Sequence, residues 1–139
     1  MPSKKILIIE DDAGIIELLE AVLESGQYEP IAGRGGRDGL LKLRESGADL
    51  VLLDLMMDDV DGWAVLEAIQ ADPELRDIPV IIVSVRSPLE DLDRAEKYDS
   101  FYVDYVVKPF SVRELLARID AALAGQAPPR RSHVVRTER

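Results

Sequence analysis

A chain of 139 residues, 47% hydrophobic and 32% charged, suits one globular domain that buries roughly two thirds of its unfolded surface. It has no cysteine, which excludes a disulfide framework, a thiolate metal site and cysteine redox chemistry. The net charge is −10, and the arginines Arg130, Arg131, Arg136 and Arg139 face only Glu138 in the last ten residues, so the body before them carries about −13. So acidic a body is unsuited to non-specific nucleic-acid binding, which needs clustered Lys and Arg, and suits a cation or a basic partner.

The N-terminus has only four apolar residues, Ile6 to Ile9, before Glu10, too few for a signal-peptide core or a membrane span, so a soluble cytoplasmic protein is expected. Those four form the first predicted strand. A helical face follows in Ile15, Ile16, Leu18, Leu19, Val22 and Leu23. A weaker second strand spans Glu29 to Ala32, and Leu40, Leu41 and Leu43 repeat at helical spacing. The third strand is Leu50 to Leu53, followed by the helical set Trp63, Val65, Leu66 and Ile69. Val80 to Val83 form the fourth strand and Tyr105 to Val107 a weaker fifth. Ser111 and Glu114 read as a capping box opening a last helix, Val112 to Ala124, with Leu115, Leu116, Ile119 and Leu123 as its buried stripe. Gly125 closes it. Residues 126–139, with Pro128, Pro129 and the four arginines, have neither period nor apolar mass, so residues 1–124 are read as the domain and 125–139 as a basic linker or tail.

Strands alternating with helices predict a doubly wound α/β fold with a parallel sheet. The first, third and fourth runs are apolar without alternation, as central strands covered on both faces require, and the second and fifth belong nearer the edges. In such sheets the ligand site lies beyond the carboxyl ends of the strands. Here those ends read Glu10-Asp11-Asp12, Asp54, Ser84 and Lys108-Pro109.

Carboxylates about 4 Å apart repel by about 1 kcal/mol in water and several times that in protein, so a cluster of them calls for a proton or a cation. An all-oxygen donor set favours Mg²⁺, and Asp11, Asp54 and the backbone carbonyl of Met56 are the expected ligands. A carboxylate is also a nucleophile able to form an acyl phosphate once a metal, an ammonium and a hydroxyl neutralise the transferring group; Lys108 and Ser84 supply the last two. Taken singly these residues are bland: an acid after a strand is most often a helix cap, and Asp12 is most simply that. Their conjunction at successive strand ends carries the reading.

The segments Ile6-Leu-Ile-Ile-Glu10-Asp11-Asp12, Val51-Leu-Leu-Asp54-Leu-Met56, Asp61-Gly62-Trp63, Val80-Ile-Ile-Val-Ser84 and Tyr105-Val-Val-Lys108-Pro109-Phe110 resemble the receiver domains of two-component response regulators over about residues 4–124. The resemblance implies a five-stranded sheet ordered 2-1-3-4-5 and Asp54 as phosphoacceptor from a sensor histidine kinase. It also implies Glu10 and Asp11 as the acidic pair at the metal, Ser84 and Lys108 as phosphate contacts, and a cis bond before Pro109. Ser84 and Tyr105 hold the places of the family's switch residues, through which a charge event changes the surface of the fourth helix, fifth strand and fifth helix. Ordinary edge-strand packing accounts for Tyr105 equally well. The last helix resembles the branch that drives winged-helix transcription factors, in which phosphorylation promotes a homodimer through that surface, with Asp104 and Arg118 as candidates to pair across it. The output domain or partner is left open.

Three departures stand out. Asp58 and Asp59 replace the Pro-Gly usual before the Asp-Gly turn and add charge near the site. Val85 stands where a small residue is common and is expected to narrow access to Asp54. Ser100-Phe101-Tyr102-Val103 replaces a small-residue run, leaving bulk for a partner surface or for altered helix packing. Two further readings compete with the phosphoacceptor: a phosphorylation-independent interaction module of the same fold, and a metal-dependent aspartyl phosphatase. The phosphatase is disfavoured because the chain is too short for a cap domain, so a non-enzymatic switch is expected.

Overall fold

The computed structural model describes residues 3–125, so the expected tail beyond Gly125 lies outside the described residues. Five strands, β1 (Lys5–Glu10), β2 (Glu29–Arg34), β3 (Leu50–Leu53), β4 (Val80–Ser84) and β5 (Asp104–Val107), alternate with the helices α1 (Ala13–Ser25), α2 (Gly36–Ser46), α3 (Gly62–Ala71), α4 (Leu92–Lys97) and α5 (Val112–Leu123). All pairings are parallel and the order is β2-β1-β3-β4-β5. The two weaker runs are the edges, and the apolar ones lie inside. Because β1 is flanked by both β2 and β3, strand order reverses there, opening a crevice at the carboxyl ends of β1 and β3.

Side chains alternate across each strand, so β1 serves two cores. Ile6 and Ile8 pack with Ile16, Leu19 and Leu23 of α1 and Leu115 and Ile119 of α5. Leu7 and Ile9 face Leu43 of α2, Trp63 and Leu66 of α3, and Ala95 of α4.

The helix starts follow from side-chain caps. Asp12 accepts the Ile15 N–H at 3.0 Å, Asp61 the Trp63 N–H at 2.9 Å, and Ser111 the Glu114 N–H at 2.9 Å. The box expected at Ser111 is only half made, since the Glu114 carboxylate turns instead to Arg118 at 3.4 Å. A complete capping box occurs at Ser87 and Glu90, opening the 3-10 turn Pro88–Asp91 ahead of α4.

Two apolar residues assigned to core faces are outside. Leu18 and Leu41 are half exposed, because each sits at the margin of a helix stripe wider than the surface it packs against. The Phe101 region resolves in favour of helix packing. Tyr102 is buried with its hydroxyl on the Ala95 carbonyl at 3.0 Å, and α4 is only six residues long, followed by the 3-10 turn Asp99–Phe101.

Candidate functional site

Glu10, Asp11, Asp54, Ser84 and Lys108 converge at the carboxyl ends of the strands because each ends, or follows by one residue, a strand of the same parallel sheet. Asp54 continues β3, with its N–H on the Ile9 carbonyl at 3.0 Å, and is buried. Ligating oxygens of Glu10, Asp11 and Asp54 lie within 4.8 Å of one another. Burial is the main force raising the Asp54 carboxyl, to about 7, and the Glu10 charge adds to it, while Lys108 and the Met56 N–H oppose.

Lys108 is tied to Glu10, Nζ to Oε1, at 2.9 Å in a pair largely withdrawn from solvent. Its N–H bonds the Ser84 carbonyl at 2.8 Å, and the peptide to Pro109 is cis, as the resemblance implied. Ser84 is fully buried, its hydroxyl oxygen accepting the Arg86 N–H at 3.3 Å. Tyr105 points inward, its hydroxyl donating to the Arg86 carbonyl at 2.5 Å. The two residues matched to the switch positions thus grip the same residue from opposite polar atoms. Behind the site, Gly62 comes so close that a Cβ there would lie 2.6 Å from the Asp54 carbonyl oxygen.

The donor set fits a hard divalent cation. It is all oxygen, it gathers three carboxylates, and the Asp54 carboxyl is raised first by burial and then by the Glu10 charge, the second of which a cation would offset. Asp11 and Met56 are exposed at the mouth, where an ion with a partial water shell has room.

Other expectations are corrected by the contacts. Arg118 and Asp104 pair within the chain, with Asp104 fully buried, so this pair is already satisfied in the monomer. Asp59 does not simply add charge near the site: its carboxylate accepts the Gly36 N–H at 3.0 Å and the Arg37 N–H at 3.2 Å, capping α2, whose own cap residue Gly35 has no side chain. These bonds hold the Asp59 carboxyl below its usual range. Val85 is exposed and lines an apolar groove of about 330 Å³ with Ile15, Leu18, Lys108, Pro109 and Phe110.

A group of residues missed by sequence reasoning lies on the other side of the mouth. The Asp91 Oδ2 atom receives Trp63 Nε1 at 3.2 Å and lies 3.8 Å from Arg94 Nε and 3.9 Å from Arg86 NH1, and Arg94 also bonds Asp61 at 2.6 Å. Asp91 and Arg94 stand at helical spacing, but no spacing rule joins them to Asp61 and Trp63; only Trp63, which needs a partner for its N–H when buried, hinted at one.

The domain is thus doubly wound, with a buried acid at its switch point facing a lysine from the last strand. The model of the response regulator receiver domain matches residues 6–120, and the chain belongs to that family. It is 33% identical to the phosphate regulon transcriptional regulatory protein PhoB of Klebsiella pneumoniae over 91% of this chain and 54% of the relative. Among solved structures it is similar to the N-terminal domain of a response regulator receiver protein from Methanoculleus marisnigri, with 38% identity, TM-score 0.69, and coverage of 86% of this chain and 96% of that one. A CheY-like receiver domain protein from Methanospirillum hungatei superposes with TM-score 0.79 at 28% identity, covering 90% and 97% of the two chains. The chain spans about half the length of the curated relatives it matches. Among the described residues no helix is long and apolar enough to cross a membrane.

Proposed function

We propose that residues 1–124 form a phosphoacceptor receiver, phosphorylated on Asp54 by a sensor histidine kinase with Mg²⁺ as cofactor, and that 125–139 are a basic linker or tail. The observation that carries this reading is the buried Asp54 at the end of β3, crowded by Glu10 and served by Lys108.

An Asp54 carboxylate oxygen attacks phosphorus, the P–N bond of the donor phosphohistidine breaks, and its electron pair leaves on the imidazole nitrogen, which takes up a proton. Asp11, Asp54 and the Met56 carbonyl are the residues to hold the ion, with Glu10 beside them. When bound, the ion neutralises charge on the transferring group. Lys108 is positioned to leave Glu10 for a phosphoryl oxygen, and the Ser84 hydroxyl to donate to another. The apolar groove beside Lys108 offers a docking surface for the donor protein.

Once Ser84 turns to the phosphoryl group it releases the Arg86 N–H, and Tyr105 holds the same residue through its carbonyl. Arg86 therefore connects the phosphoryl site to α4, which follows it in the chain. Val107 and Val112, exposed on β5 and α5, support a phosphorylation-promoted homodimer on the α4-β5-α5 surface. The protein is then a cytoplasmic switch and not an enzyme, and this domain acts on protein partners rather than on membrane or nucleic acid.

The test is intact-protein mass after incubation with Mg²⁺ and acetyl phosphate or a phosphorylated histidine kinase. One phosphoryl group is expected, lost in Asp54→Ala and with chelator. An unmodified chain with both donors would leave an interaction module that has the fold without its chemistry.

A further inference from the structure

Asp11, just past β1, is exposed, yet its carboxylate is not left to wander. Its Oδ2 accepts the backbone N–H of Asp58 at 2.8 Å, from the loop that joins β3 to α3. The next residue anchors that loop elsewhere, since the Asp59 carboxylate holds the Gly36 and Arg37 N–H groups at the start of α2. A continuous chain of bonds therefore runs from the amino end of α2, through two consecutive loop residues, to a carboxylate of the candidate metal site. A proline at 58, the residue usual there in the family, has no N–H and would break it.

A bond to one oxygen of a ligating carboxylate fixes the direction of the other, and partners of this kind are commonly worth 10–100-fold in metal affinity. We propose that the loop is a positioning strap for the divalent cation, in which the Asp58 main chain orients Asp11 and the Asp59 side chain holds Asp58 in place. The proposal rests on the metal site of the preceding section. Asp58 and Asp59 are positioning residues; neither is assigned to the ion itself.

The experiment titrates Mn²⁺ into the metal-free chain, counts free ion by electron paramagnetic resonance, and repeats the titration in competition with Mg²⁺. Asp58→Ala loses the carboxylate but keeps the N–H, and Asp58→Pro loses both, so their difference isolates the bond to Asp11. Asp58→Pro is expected to bind Mn²⁺ about tenfold more weakly than Asp58→Ala. Asp59→Ala should weaken binding in the same direction, and Asp59→Asn, which keeps an acceptor oxygen, should recover most of the loss. Equal affinity of Asp58→Pro and Asp58→Ala in a native chain that does bind Mn²⁺ overturns the strap alone. No binding by the native chain overturns the strap and the metal site together. Should Asp58→Pro show no cooperative urea transition, the Asp59 pair decides, and Asp59→Ala binding like the native chain overturns the strap.

Discussion

Between the sheet and helices α1 and α5 the packing is aliphatic, built on Ile6, Ile8, Ile16, Leu19, Leu115 and Ile119. On the opposite face aromatic rings join the aliphatic side chains, and four of these rings carry a polar atom with a defined partner: Trp63 on Asp91, Tyr98 on Glu67, Tyr102 on the Ala95 carbonyl and Tyr105 on the Arg86 carbonyl. Three of those partners lie between β4 and the end of α4. The rings also touch one another, Trp63 stacking on Tyr98 at 5.4 Å between centroids and Tyr102 meeting Tyr105 edge-on at 6.0 Å. Aliphatic burial is non-directional and holds a wall in place, whereas these hydrogen bonds specify one arrangement of a short segment and so allow a second. Bonds of that kind lie on the face next to Ser84.

The comparison breaks most visibly at Ile8. Ile8→Ala should lower stability to urea by about 2–5 kcal/mol while amide exchange quickens across the whole domain together. Exchange confined to one helix would show that the aliphatic face is not a single unit. Trp63→Phe is expected to cost less, about 1–2 kcal/mol, from the lost bond to Asp91 and a thinner stack on Tyr98. Its faster exchange should be limited to residues 86–97; equal acceleration in α1 would erase the distinction between the faces.

The smallest effect is expected at Asp59. Its folded carboxyl lies below the ordinary 3.8, chiefly because of the Gly36 N–H, so its charge contributes stability that is present above pH 3.8 and lost as pH falls through the folded value. The native chain should therefore outlast Asp59→Asn in thermal unfolding near neutrality, with the gap closing in acid. A gap that stays constant with pH would mean the charge contributes nothing.

The sheet was legible because its central strands are unbroken apolar runs and its edges are not, a difference that burial on two faces imposes. The candidate site was legible for a related reason: a parallel sheet collects strand ends, so Glu10, Asp54, Ser84 and Lys108 could be grouped without knowing any distance. What escaped were contacts between separate loops. Asp59 reaches α2 across 23 residues and Asp91 reaches Trp63 across 28, and neither spacing has a period. The short α4 was equally hidden, since Ala95 is its one buried residue and no apolar stripe announces it. Asp104 and Arg118, candidates to pair across a dimer, are joined directly within the chain, which folds back over 14 residues.

Gly62 sets a limit of another kind. Since a methyl group at 62 would overlap the main chain at Asp54 and Leu55, the acid is held from behind by the absence of an atom. The atoms it would meet are all backbone, so no flexible side chain can swing away. Among the twenty amino acids, position 62 therefore accepts one, and the place of least tolerance in the site belongs to a residue with no side chain.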